Sequence, residues 1–373
     1  MVASKVQNMM QKFLNSLVEE GKERGLQLAV YLDGKLVVDA WAGVADPASG
    51  RRVDGETLFP VFSVGKGLTA TIMHRLVERG LVTYDTPVAQ VWPEFAARGK
   101  GGITVRHVLA HMSGLQNLPV GIKPEDLNDW RRMCAIMADQ TPVSPPGAEI
   151  VYHAMTFSWL VGETACRVAG KTFEQLVEEE LRQPLGTKNI YHGIPGEVEG
   201  RVAVLDEVFE PGQTPAVDDT KPQPIPGWLW PLHEWMNRPE VRRACVPAST
   251  GIMTARALAR HYAALTPGGV DGVELLPPQR VRLATELQLQ TTVPAPGAPA
   301  SARFALGYGL GGEGNLELGT RPTAFGHGGY GGAIGFADPQ YRLAVGLTKN
   351  FFSKNGATVN IMQRLRKALE IPA

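Results

Sequence analysis

Apolar residues recur along this chain with two periods, and the change from one to the other divides it. At the N-terminus Val6, Met9, Met10, Phe13, Leu14 and Leu17 return every three or four positions, the spacing of an amphipathic helix laid on a larger body. The next segment, LQLAVYLDGKLVVDAWAGVAD, has apolar and β-branched runs on either side of Asp33-Gly34. Two such residues between two such runs predict a tight hairpin, because Asp and Gly tolerate the positive φ its turn requires. A helical period returns in TLFPVFSVGKGLTATIMHRLVERGL. There Leu68, Ile72 and Leu76, with Met73 and Val77, form the stripe of a helix that begins near Ser63 and is stopped by Gly80.

From Tyr84 to about Gly312 the pattern is helical, broken by Pro- and Gly-rich loops. Helices are predicted around 105–111, 127–138, 155–168, 173–181 and 255–265. The loop at 211–235 carries six prolines and Trp228, Trp230 and Trp235; loops of that length inside a domain are usually functional or poorly ordered. Strand signals return in GGAIGFAD and YRLAVGLTKN, joined across Asp338-Pro339, and a helix over 356–369 closes the chain. The expected fold class is therefore α/β of the α+β type. One antiparallel sheet is built from both ends of the chain, flanked by the N- and C-terminal helices, with a mostly helical subdomain alongside. The division this gives is 1–83 with 313–373 for the sheet domain and 84–312 for the helical one, with the functional site at their interface.

Composition narrows the function. At 373 residues, 44% of them hydrophobic, the chain can bury a large core without disulfides or metal. Lys+Arg and Asp+Glu both number 37, so no long-range field draws in nucleic acid or an anionic membrane. Cys134, Cys166 and Cys245 are odd in number and far apart, which reads as buried free thiols rather than a disulfide framework. Lys5, Gln7, Asn8, Gln11 and Lys12 interrupt the first helix too often for a signal peptide. No apolar stretch reaches spanning length. A soluble cytoplasmic protein is expected.

The candidate chemistry centres on Ser63-Val64-Gly65-Lys66. Three residues apart on a helix, the two side chains share a face and can hydrogen-bond. A serine hydroxyl is a weak nucleophile until a base takes its proton, and a lysine serves when burial or neighbours lower its pKa. The helix N-terminus adds N–H groups where an oxyanion would form. By itself the S-x-x-K pattern better suits Ser63 as a helix cap and Lys66 as a solvated first-turn residue. Two further signals weigh against that: Tyr152 in PPGAEIVYHAMTFSWLVGE, in a loop before a helix, and His327-Gly328-Gly329 in TAFGHGGYGGAIGFADP, entering a glycine-rich edge strand. Glycines there let another backbone approach closely.

In order, spacing and flanking text these segments resemble the serine β-lactamase-related family, especially class C β-lactamases and family VIII carboxylesterases. ITVRHVLAHMSGL and PASTGIMTARALARHYAAL are similar to it as well, so the likeness runs from about residue 25 to 350. The resemblance implies the β-lactamase/transpeptidase fold and makes Ser63 the acylated nucleophile, Lys66 a proton acceptor and Tyr152 a base or proton shuttle. It places the oxyanion hole at the backbone N–H groups of Ser63 and Tyr330, and substrate along His327, Gly328 and Gly329. It calls for no cofactor and no metal.

Two departures shift the expected substrate. Tyr152-His153-Ala154 lacks the asparagine of the family's Y-x-N, and His327-Gly328-Gly329 lacks the lysine of its K-T-G. Both losses weaken recognition of an anionic lactam. The expectation is a carboxylesterase acting on a small-molecule short-chain acyl ester. An amidase or D-aminopeptidase, an acyltransferase, a weak β-lactamase on the same site, or a binding protein without turnover are the alternatives. Trp228 and Trp230 are expected to wall an acyl or alcohol pocket, with packing as a lid or dimer contact as the other reading. Association with further copies of the chain is compatible with the sequence. His107 and His111, four apart, lack the Glu of a zinc helix. Ser113-Gly114 reads as a helix end, and Val61 breaks any G-x-S-x-G elbow.

Overall fold

A computed structural model describes residues 2–208, 215–289 and 303–372. The hairpin forms as expected. Strands β1 (Gly25–Leu32) and β2 (Lys35–Asp46) meet at Asp33 and Gly34, with φ of 50° and 71°. The sheet continues on one side to β3 (Arg51–Arg52). On the other it takes up β4 (Arg303–Phe304), β5 (Gly309–Leu310), β6 (Phe325–Gly328), β7 (Ile334–Asp338) and β8 (Leu343–Lys349). The order is β3-β2-β1-β8-β7-β6-β5-β4, with every pair antiparallel. The first and last thirds of the sequence thus share one sheet, joined where β1 pairs β8 over Leu26↔Lys349 to Leu32↔Leu343.

Side-chain alternation assigns the two faces. Leu26, Leu28 and Val30 of β1 and Leu343, Val345 and Leu347 of β8 share a core with Val6, Met10, Leu14 and Leu17 of α1 (Val2–Glu19) and with Ile361, Met362 and Leu365 of the C-terminal helix Ala357–Ala368. Both terminal helices therefore cover one face. The other packs against the helix Ala255–Ala263, so closely that a Cβ on Gly346 would lie 2.4 Å from the Ala255 carbonyl oxygen. Glycine is required there by contact rather than by φ.

The helix Gly65–Glu78 departs from the amphipathic expectation: besides its stripe, Lys66, Thr69, Thr71 and His74 are all buried. It runs through the molecule between sheet and helical layer, and only its C-terminal end, at Arg75 and Glu78, meets solvent. Gly80, at φ 72°, ends it as read from the sequence. In the middle stretch the helices Val105–Leu109, Trp130–Asp139 and Phe157–Ala169 form close to their predicted limits. The helical stretch 173–185 carries a wider π turn at Glu178–Arg182. The middle stretch also holds β structure that periodicity did not reveal. Phe59–Pro60, Gly251–Met253 and Ile190–His192 form a small second sheet, and β4 and β5 extend the main one N-terminal of residue 313. Of the loop predicted at 211–235, residues 211–214 lie outside the described residues; the rest contains the short helix Leu232–Asn237. No helix among the described residues is long and apolar enough to cross a membrane.

Candidate active site

Ser63 lies on a single 3-10 turn, Phe62–Val64, immediately before the α-helix that starts at Gly65. Phe62 holds φ at 48°, a left-handed value uncommon outside glycine. Its ring is fixed by edge contacts to Tyr330 at 5.7 Å and Phe352 at 5.9 Å. The turn bends the chain so that Ser63 is half-buried and faces a cavity of about 480 Å³, while Val64 and Lys66 face inward. No side-chain cap is made at this helix start, and Lys66 is wholly buried. The reading of Ser63 as a cap and Lys66 as a solvated residue is thereby overturned.

Lys66 Nζ donates to the Ala154 carbonyl at 2.8 Å and to the Ala248 carbonyl at 3.0 Å, and lies in hydrogen-bond contact with Ser63 Oγ at 3.0 Å. None of these partners is an anion, so burial goes uncompensated and holds the ammonium well below its ordinary pKa. Tyr152, from the loop before the helix Phe157–Ala169, hydrogen-bonds the Ser63 side chain, and its ring centroid is 4.8 Å from Lys66 Nζ. The Tyr152 ring is clamped by His111 at 4.9 Å, Phe304 at 5.8 Å and His327 at 6.0 Å. Burial pushes its phenol up from the usual value, opposed by the Ser63 hydrogen bond. In the folded chain both groups are driven toward their neutral forms.

The strand carrying the glycine triplet is not an edge in the strand order. β6 pairs β7 along its whole length but pairs β5 only at Phe325 and Gly326. From His327 onward one side is open, and that side meets the Ser63 turn. A Cβ at Gly329 would sit 2.1 Å from the Val61 carbonyl oxygen, so only glycine permits the approach. His327 Nδ1 hydrogen-bonds the Gly328 carbonyl at 2.6 Å, and burial, followed by Lys66, depresses the ring to about 3, leaving it neutral. Tyr330 opens the next turn. Its hydroxyl donates to Glu207, whose other oxygen accepts from His233 Nδ1 at 3.1 Å. Ser63, Tyr152, His327, Gly328, Gly329 and Tyr330 all line one cavity, with Lys66 directly beneath Ser63.

Trp228 and Trp230 do not line it, contrary to expectation. Both are partly buried against the core, with Trp230 edge-on to Tyr330 at 5.6 Å. The same loop contributes Ile225, Leu232 and Trp235 instead. Phe304, Arg303 and Glu317 also face the cavity and were not anticipated; no local pattern marks them, because they come from short strands and a loop. The two acceptors that hold Lys66 are backbone carbonyls, which have no residue signature at all. His107 and His111 serve separate ends: His107 accepts from the Thr104 amide in a capping box, and His111 packs on Tyr152. No group of three or more His, Cys, Asp or Glu among the described residues could hold a metal ion. A second cavity, about 520 Å³, lies away from Ser63 between Trp92, Trp130 and Arg167. Glu163 within it is taken up by Trp130 Nε1 and Arg167 Nε, both at 2.6 Å.

The arrangement thus joins an accessible hydroxyl to a buried amine and a buried phenol beneath a glycine-lined groove. Comparison with known proteins bears on the family and fold. A family model described as Beta-lactamase matches residues 5–369. The chain is 36% identical over 346 residues to the esterase/beta-lactamase LipL of Mycobacterium tuberculosis, covering 87% of this chain and 77% of that protein. A beta-lactamase of Escherichia coli is 27% identical over 190 residues, about half of either chain. Among solved structures, a family VIII carboxylesterase superposes with a TM-score of 0.84 at 30% identity, covering 96% of this chain and 97% of that one. A penicillin-binding protein homologue from Caulobacter crescentus gives the same TM-score and identity over 98% and 97%. With the family model spanning nearly its whole length and the eight-stranded sheet and helical layer in place, this chain belongs to the beta-lactamase family.

Proposed function

We propose that the protein is a carboxylesterase that cleaves short-chain acyl esters through an acyl–Ser63 intermediate. The observation that carries this reading is the uncharged setting of Lys66, buried beneath a serine that opens into the cavity. A neutral amine has two N–H bonds and one lone pair. The Ala154 and Ala248 carbonyls can only accept, so they take the two N–H bonds and leave the lone pair to the Ser63 hydroxyl. That is the arrangement of a base in contact with its nucleophile. Ser63 Oγ attacks the ester carbonyl as its proton passes to Lys66. The oxyanion forms against the backbone N–H groups of Ser63 and Tyr330. Tyr152, neutral and hydrogen-bonded to Ser63, relays the proton to the departing alkoxide, which leaves as the alcohol. Water then attacks the acyl–serine by the reverse route, releasing the acid.

Ester rather than lactam specificity is supported by the same residues. Ala154 offers no side-chain amide, and the neutral His327 offers no fixed cation to a carboxylate. The LipL relative and the family VIII neighbour bear esterase names. Three free cysteines accord with a cytoplasmic setting. Incubation with a fluorophosphonate should add its mass to Ser63 and nowhere else. Labelling absent from the intact protein, or undiminished in Ser63→Ala, refutes the proposal.

A further inference from the structure

Besides its catalytic groups the cavity is lined by two charged side chains, Arg303 and Glu317. They are not equivalent. The Arg303 guanidinium is turned onto backbone: Nη1 donates to the Gly311 carbonyl at 3.1 Å, and the missing Cβ of Gly312 makes room for it. The Glu317 carboxylate, half-buried, has no hydrogen-bond or ion-pair partner among the described residues. It lies beside the groove, where a Cβ on Gly328 would be 3.7 Å from Oε2.

The loop presenting it is firmly built. Arg366 of the C-terminal helix donates to the Leu316 carbonyl at 2.9 Å and to the Glu317 carbonyl at 2.6 Å. Asn315 accepts from the Leu318 amide at 2.9 Å and donates to the Leu310 carbonyl at 3.3 Å. The backbone is thus held by bonds that leave the carboxylate free. The cation whose field reaches it, Lys349, is paired with Glu23. A carboxylate half-withdrawn from water without a protein partner carries a desolvation cost, and a ligand cation would offset it.

We propose that Glu317 forms a cation subsite in this cavity, selecting esters that carry a quaternary ammonium or protonated amine on the part lying along Gly328. The inference rests on the esterase reading for turnover but not for binding. It also gives a positive reason for poor lactam recognition: an acid flanks the groove where an anionic substrate would need a base.

The test uses acetylcholine and 3,3-dimethylbutyl acetate, which match in shape and differ by one charge. In the wild-type enzyme kcat/KM for the cationic ester should exceed that for the neutral one by about tenfold, through KM. Glu317→Gln should erase the difference between the two esters, with a circular dichroism spectrum and melting temperature like those of the wild type to certify the fold. Glu317→Lys should reverse the preference toward an anionic ester. Calorimetric binding of the same two esters to Ser63→Ala, with and without Glu317→Gln, reads the subsite without turnover. Selective binding with no turnover in the wild type would sink the esterase reading alone. Turnover of the neutral ester with equal KM for both, or a cation preference that survives Glu317→Gln, would overturn the subsite.

Discussion

Among the described residues Ser63 and Ser113 each hydrogen-bond to a basic side chain, and of the pair Ser63 alone opens to the cavity. Ser63 contacts Lys66 at 3.0 Å, and Ser113 contacts His153 Nε2 at the shorter distance of 2.6 Å. Ser113 is wholly enclosed, while Ser63 faces the cavity. The His153 Nδ1–H is committed to the Val151 carbonyl at 2.6 Å, which fixes Nε2 as acceptor for Ser113 and makes the pair a closed structural link. His153 is also neutral, its ring lowered to about 4 by burial. A hydroxyl–base contact is therefore insufficient for a nucleophile. It also needs an approach path for an acyl carbon and donors where charge develops.

That contrast can be broken most severely at Ser63. Ser63→Ala should lower kcat by about 10⁴-fold or more, measured on an activated ester, since the acyl-enzyme route has no other hydroxyl in the cavity's catalytic position. Residual turnover within about tenfold of wild type would place the nucleophile elsewhere. Next comes the proton path. Tyr152→Phe keeps the ring among His111, Phe304 and His327 but removes the relay, and should cost about 10²–10⁴ in kcat.

The acid limb of the rate profile tests Lys66. Burial holds its pKa well below the ordinary lysine value, so it sheds its proton more readily than a solvated lysine and regains it as pH falls, and the rate should decline toward acid pH. Stability has a linked sign. Between the depressed native value and the ordinary lysine value the unfolded chain binds the extra proton, so stability rises with pH through that window and the rise should disappear in Lys66→Met. A rate profile or an unfolding profile without these slopes contradicts a buried uncharged lysine.

Smaller effects sharpen the picture. Glu207→Gln weakens the hold on the Tyr330 hydroxyl and on His233, and through them on the turn beside the proposed oxyanion site. A loss of about tenfold in kcat, with KM little changed, is expected. The least effect on rate belongs to Ser113→Ala: kcat within about twofold of wild type, with about 1–3 kcal/mol lost from stability because His153 Nε2 is left buried and unpaired. A large loss of rate without loss of stability there would dissolve the distinction between the two serines.

Much of this arrangement was legible in the amino-acid order. The hairpin turn at Asp33-Gly34, the stop at Gly80, both terminal helices and the S-x-x-K, Tyr152 and glycine-triplet segments are local patterns, each governed by φ preference or short-range spacing. They specified the fold class and the three stretches that supply the site. What remained hidden is what arises between distant segments. The burial of Lys66 on every side depends on the carbonyls of Ala154 and Ala248, 88 and 182 residues away. The exclusion of Trp228 and Trp230 in favour of Trp235, the use of His111 as a wall for Tyr152, and the exposure of Glu317 beside Gly328 depend likewise on packing across the chain. Sequence determined which groups were available, because chemistry and backbone preference belong to single residues. Tertiary structure alone decided which were charged, reachable and paired, because solvent access and field belong to the assembled neighbourhood.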